Sequence, residues 1–214
     1  MSFASDQLLA LILLINIVIL GTRRTDIAIR AISIQGIFIG LLPLLMHAFG
    51  YQLLAMTLLV LAVKGIFIPW LLLRAIRKVH FTEDVRPLFG YSGNIIAGAL
   101  ATVLAFAVAT RLPMAPVHQG LLIVPVSLAT ILAGSINLAT RRKAINQVVG
   151  YLLLENGIFL FGLLLTETMP VMVEAGALLD LIAGIFVMGI IINHINREFS
   201  SIDTSHMTAL RESE

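Results

Sequence analysis

The chain has 214 residues, 59% hydrophobic and 12% charged, with no cysteine and a formal net charge of +2. A soluble domain carries about 25% charged residues, so a water-soluble globular protein is excluded. The missing cysteines exclude a disulfide framework, thiolate metal sites and cysteine-ligated iron–sulfur clusters.

The first residues, Met1 to Asp6, contain no Lys or Arg. They lack the basic start of a cleavable signal peptide, and the first apolar run, 5–21, reads as a retained helix. Charge clusters, Gly and Pro punctuate the runs that follow. They predict further spans at 28–48, 52–73, 93–111, 118–138, 146–166 and 171–194. Backbone groups in hydrocarbon find no water to bond, and these runs are too long for barrel strands. The expected fold is therefore all-α: a polytopic membrane protein of about seven transmembrane helices at about 20 residues per span. Residues 1–198 form the transmembrane helical domain and 199–214 a cytoplasmic C-terminal tail.

Orientation follows from the 14 Lys and Arg residues. One side receives Arg23, Arg24, Arg30, Arg74, Arg77, Lys78, Arg86, Arg141, Arg142, Lys143, Arg197 and Arg211. The other receives Arg111, and Lys64 lies within a span. This asymmetry predicts an N-terminus outside and a C-terminus in the cytoplasm. Each basic loop is read as a topology signal.

The tripeptide Gly-Ile-Phe recurs at 36–38, 65–67, 157–159 and 184–186. Ile15-Asn16 matches Ile136-Asn137 at the shift that carries Gly36 to Gly157, and Thr22-Arg23-Arg24 corresponds to Thr140-Arg141-Arg142 at a slightly different one. Spans one to three thus read as a distant copy of spans five to seven. One span separates the copies, so both run in the same direction, a parallel repeat. Gln35 then corresponds to Asn156, and Asp180 to Leu61, with Lys64 a near-turn further on.

Three ionisable residues fall near mid-membrane: Lys64, Glu155 and Asp180. Each costs about 2.5–3.5 kcal/mol at a helix centre on insertion scales. A partner, a water-filled cavity or a neighbouring subunit has to offset that cost. Such residues point to proton relays, or else to locks between helices. Asn16, Gln35, Asn137 and Asn156 read as interhelical hydrogen-bonding residues. Glu174 is placed near the outer interface and Glu167 in an outer loop.

The sequence lacks a P-loop, an HExxH helix, a GxSxG elbow and a dinucleotide fingerprint. Its histidines, His47, His80, His118, His194 and His206, sit mostly at span ends or in loops and form no facing mid-membrane pairs. No cofactor, metal or catalytic centre is expected in this chain, and no nucleic-acid partner. The activity is transport, or belongs to a complex of which this chain is a subunit.

The segments GYLLLENGIFL at 150–160, ALLDLIAGIFVMGI at 177–190 and VKGIFIPWLL at 63–72, with the tail from Ile202 to Arg211, resemble the hydrogenase-4 component E (HyfE) family. The resemblance covers most of the chain and is strongest from 140 to 211. Spans five to seven also resemble the three-helix NuoK subunit of complex I and the MrpC subunit of sodium/proton antiporters. Asp180, followed by Gly184, matches the NuoK third-helix glutamate as a shorter carboxylate. In the second helix, Leu152 holds the glutamate position and Glu155 lies about a turn away. The resemblance implies a membrane-arm subunit of a group 4 [NiFe]-hydrogenase or formate hydrogenlyase complex in the inner (cytoplasmic) membrane. It implies antiporter-like membrane subunits and separate hydrogenase catalytic subunits as partners. Lys64, Glu155 and Asp180 would then line a proton pathway. The alternatives are a structural subunit joining those modules, or a stand-alone ion transporter.

Overall fold

The computed structural model describes residues 3–46, 51–79, 87–112 and 122–163. They form helices α1 (Phe3–Gly21), α2 (Thr25–Met46), α3 (Tyr51–Val60), α4 (Ile68–Val79), α5 (Gly90–Ala109), α6 (Ile123–Thr140) and α7 (Ala144–Gly162), with a π-helical segment, Leu61–Phe67, joining α3 to α4. No strand occurs among the described residues, and all of them belong to one compact unit within 1–178.

Six stretches are long and apolar enough to cross a membrane: Ala4–Gly21, Thr25–Leu45, Thr57–Arg74, Gly90–Ala109, Ile123–Thr140 and Ile145–Gly162. They match the first six expected spans, and the chain is an all-α polytopic membrane protein. The expected seventh span, 171–194, with Glu174, Asp180 and the boundary at 198, lies outside the described residues, as does Glu167.

Packing places α1 against α2, α5 and α6, and α2 against the third span and α7, while α6 and α7 form the closest pair. A Cβ at Gly157 would lie 2.6 Å from the backbone nitrogen of Ile131. Only a glycine lets the two backbones meet there. The fifth helix turns a stripe of small residues inward, Gly98, Ala101, Ala105 and Ala109, below a buried Asn94. Leu100, Val103 and Leu104 on its other side are exposed, as a lipid-facing surface requires.

The interior is layered. Leu9 and Ile12 of α1, Ile39 and Leu42 of α2, Ile123 and Val126 of α6 and Leu160 of α7 form an apolar cluster at one end. Polar side chains occupy the middle, and the basic connections close the other end. Two short turns, Thr22–Arg24 and Arg141–Lys143, join α1 to α2 and α6 to α7. The helices run further into the basic clusters than apolar patterning predicts. These matching hairpins lie side by side, α1 on α6 and α2 on α7, and the repeat-equivalent Gln35 and Asn156 are hydrogen-bonded. The other equivalence does not extend to environment. Asn137 donates to the Asn146 carbonyl and accepts from Arg141 near the basic end, whereas Asn16 lies in the middle layer.

Arg141 lies in the basic turn between α6 and α7 that the sequence marks as a topology signal, and it is only 4% exposed. Its guanidinium donates to the carbonyls of Ile19, Leu20 and Thr22 and lies over the ring of Tyr91, 5.4 Å from its centre. The last carbonyls of α1 have no intrahelical donor, and this cation supplies one from the other hairpin. The planar guanidinium can serve several carbonyls at once, unlike an ammonium. Arg141→Met is expected to destabilise the purified protein by about 1–3 kcal/mol, the cost of unsatisfied buried carbonyls. Arg141→Lys should recover part of that loss, as read by thermal unfolding in detergent.

Candidate functional site

Third-span geometry sets the site. The Ile68 N–H bonds the carbonyl of Val63, five residues back, in the wide π register. The next residue, Pro69, has no N–H, so the wide ladder cannot continue and the chain returns to α-helix. An α-helix would also draw the donor to the Gly65 carbonyl from position 69, where the proline has none. Ser33 of α2 replaces it, its Oγ donating at 2.6 Å. Neighbouring hydroxyls commonly satisfy carbonyls freed by a membrane proline in this way.

The π segment carries Lys64 into the bundle. Gly36 of α2 faces it: a Cβ there would lie 3.1 Å from the Lys64 Cβ. Leu61 meets α2 one turn along, at Gly40, so Leu61 and Lys64 do share a face. The Lys64 side chain then extends toward α7. Its Nζ lies 3.9 Å from Glu155 Oε1 and donates to Asn156 Oδ1 at 3.3 Å. It also sits 5.1 Å from the centre of the Phe159 ring, a favourable place for a cation.

From Asn156 the hydrogen bonds continue without a gap. Asn156 Nδ2 donates to Gln35 Oε1 at 3.2 Å, and Gln35 Nε2 to Asn16 Oδ1 at 2.7 Å. Asn16 Nδ2 donates to Thr130 Oγ1 at 2.9 Å, and the Thr130 hydroxyl to the Val126 carbonyl at 2.8 Å. The chain thus runs from the third span through α7, α2 and α1 to α6. Every member is buried: Lys64 is 6% exposed, Glu155 and Asn156 3%, Asn16 2%, and Gln35 and Thr130 0%. At 1.5 Å per residue, Gln35 lies about 15 Å from the start of α2, half the thickness of a hydrocarbon core.

Glu155 is the exception to this satisfaction. Its Oε1 accepts no hydrogen bond among the described residues, and 3.9 Å from Lys64 is beyond hydrogen-bond reach. A buried carboxylate oxygen left this way is costly; among the described residues Thr25 Oγ1, Thr57 Oγ1, Asn94 Oδ1 and Asn146 Nδ2 are also left without a hydrogen bond, but Glu155 is the ionisable one. A small cavity beside Lys64 and Asn156 is lined by Ile32, Lys64, Ile68, Pro69, Leu152 and Asn156, with about 10 Å³ for the centre of a water molecule. That is about what one water needs.

The structure therefore brings Lys64 and Glu155 together and adds Asn16, Gln35 and Asn156, which bond between helices as expected but in one continuous series. Asp180 lies outside the described residues. Thr130, Ser33 and Phe159 were missed. The hydroxyls bear no cost signal in an apolar helix, because they can bond their own backbone. Phe159 appeared only as part of the Gly-Ile-Phe repeat.

Comparison with known proteins gives a consistent set of relatives. An uncharacterized protein of Mycobacterium tuberculosis is 30% identical over 206 residues, 94% of this chain and 93% of its own. Hydrogenase-4 component E of Escherichia coli K12 is 31% identical over 162 residues, 75% of this chain and 74% of its own. The same component of Shigella flexneri matches to the same extent. No protein-family model matches the chain, and no solved structure matches it significantly.

The Lys64–Glu155 contact makes a prediction about stability. Removing one member of a buried ion pair strands the other, at about 3–5 kcal/mol, whereas replacing both with apolar groups is often close to neutral. Lys64→Met and Glu155→Leu are each expected to destabilise the protein strongly, and the double variant to recover most of the loss. A double-mutant cycle on thermal unfolding measures this; additive losses would mean the two residues do not interact.

Proposed function

The chain belongs to the hydrogenase-4 component E family, and from that membership we propose that it is a non-catalytic membrane subunit of a complex I-related [NiFe]-hydrogenase. Its part is proton translocation, coupled to electron transfer in other subunits. The observation that carries this reading is the buried Lys64–Glu155 pair at 3.9 Å, with a carboxylate oxygen that accepts no hydrogen bond among the described residues. A lysine and a carboxylate held this closely at mid-span trade charge when a neighbour's charge changes, so the proton they exchange belongs to the pair. Asp180 is the third member proposed for the path, on the sequence repeat and the NuoK resemblance. Moving one proton across 100 mV involves about 2.3 kcal/mol, within the range of such charge rearrangements.

In this reading the protein lies in the inner membrane with its basic connections and C-terminus in the cytoplasm. It packs beside antiporter-like subunits, with the nickel–iron subunits on the cytoplasmic side, as in group 4 and formate hydrogenlyase complexes. A structural subunit is the competing reading, favoured by the unbroken interhelical hydrogen bonds from Lys64 to Thr130.

One experiment separates the two. In the intact complex, Lys64→Met, Glu155→Gln and Asp180→Asn are combined, and protons moved per hydrogen turned over are measured alongside assembly. Loss of translocation in an assembled, hydrogen-active complex is the expected result. Normal translocation per assembled complex would leave only the structural role.

A further inference from the structure

The polar chain beyond Lys64 has a property that pairwise helix contacts do not require: every donor in it points the same way. Lys64 gives a hydrogen to the oxygen of Asn156, whose nitrogen gives one to the oxygen of Gln35. The nitrogen of Gln35 gives one to the oxygen of Asn16, whose nitrogen gives one to the hydroxyl of Thr130. The three amides therefore stand head to tail, oxygens toward the ammonium, and the chain ends at the Val126 carbonyl.

An amide turned by half a rotation about its last side-chain bond exchanges its N and O at nearly unchanged positions. A single turned amide would set oxygen against oxygen on one side and N–H against N–H on the other. The chain is satisfied in two states only. In the observed state all oxygens face Lys64, which suits a cation that can only donate. In the reversed state Thr130 donates to Asn16, Asn16 to Gln35, Gln35 to Asn156, and Asn156 to Lys64. That last bond needs a lone pair on Nζ, which only a neutral amine has. Val126 keeps its ordinary helical N–H donor in both states.

We propose that Asn156, Gln35, Asn16 and Thr130 form a two-state chain that a charged Lys64 holds in the observed direction and a neutral Lys64 frees to reverse, so that the charge state is felt across the bundle at α6. No proton passes through the amides. Each only turns, and burial couples the turns, since a broken link deep in the bundle leaves unpaired polar groups at low dielectric. Gln35, Asn16 and Thr130 touch neither Lys64 nor Glu155 in the hydrogen-bonded series, so they are positioning residues acting through Asn156. The proposal rests on the reading that Lys64 changes charge. It names the residues that respond, and it explains why polar groups extend to Thr130 when the ion pair alone needs only Asn156.

The test uses the full chain in lipid nanodiscs, with nitrogen-15 in the side chains of Asn, Gln and Lys, and magnetic resonance as the readout. Lys64→Met is expected to shift the side-chain amide signal of Asn16, three hydrogen bonds away. Thr130→Val, which removes only the terminal hydroxyl, is expected to shift the Lys64 Nζ signal, and Thr130→Ser to restore it. Should Lys64→Met fail to fold, the Thr130 pair decides alone. A change confined to Asn156 in Lys64→Met, or an unmoved Lys64 signal in Thr130→Val, would overturn the proposal. These signals do not depend on pumping. A responsive chain in a complex that pumps normally with Lys64→Met would keep the chain and remove the proposed proton role.

Discussion

Lys64 holds its ammonium inside the bundle at the level of lipid tails, 6% exposed, and the surrounding structure is arranged around that charge. The π segment and Pro69 carry the lysine backbone toward α2. Gly36 opens the space for it, and Ser33 takes over the carbonyl the proline leaves. Glu155, Asn156 and Phe159 of α7 meet the side chain from the other side. An isolated cation at this depth is expensive. Here a carboxylate, an amide oxygen and a ring face share it, and two further amides and a hydroxyl extend the arrangement into a buried polar layer.

That layer divides the bundle. One end is held by apolar packing among α1, α2, α6 and α7. The other is tied by Arg141, which joins the two hairpin turns, by Asn94 donating to Thr140, and by the Leu88 N–H bonding the Thr140 carbonyl. The middle is held by directional bonds, which can be exchanged, whereas the ends rest on packing and on a guanidinium bonded to several carbonyls. Rearrangement of charge in the middle layer therefore need not disturb the ends.

The number and order of the first six spans were legible from hydropathy, and Lys64 and Glu155 stood out because a charge in an apolar run is costly enough to need a reason. That each needed a partner, a cavity or a neighbouring subunit was legible, but which carboxylate meets Lys64 was not. The continuity from Asn156 to Thr130 was not legible. It depends on which faces of four helices meet at one level, and neither Asn16 nor Gln35 carries a sign of its neighbour. Matching Asn16 to Asn137 by repeat hid the fact that one serves the middle layer and the other the basic end. Arg141 looked like any basic loop residue, because positive-inside patterning cannot tell a guanidinium facing water from one turned onto a helix end. The π segment was not legible either: Pro69 marks only where its wide ladder must end, and the Ser33 bond and the Gly36 approach that accompany it come from another helix.

The central claim is that the Lys64–Glu155 pair changes its protonation while the complex works. Difference infrared spectroscopy of the intact complex, before and after hydrogen is admitted, observes this directly. The account predicts a carboxyl band that appears or disappears with turnover and is lost in Glu155→Gln. A turnover spectrum unchanged by Glu155→Gln would show that the pair keeps one charge state throughout, and would contradict the account.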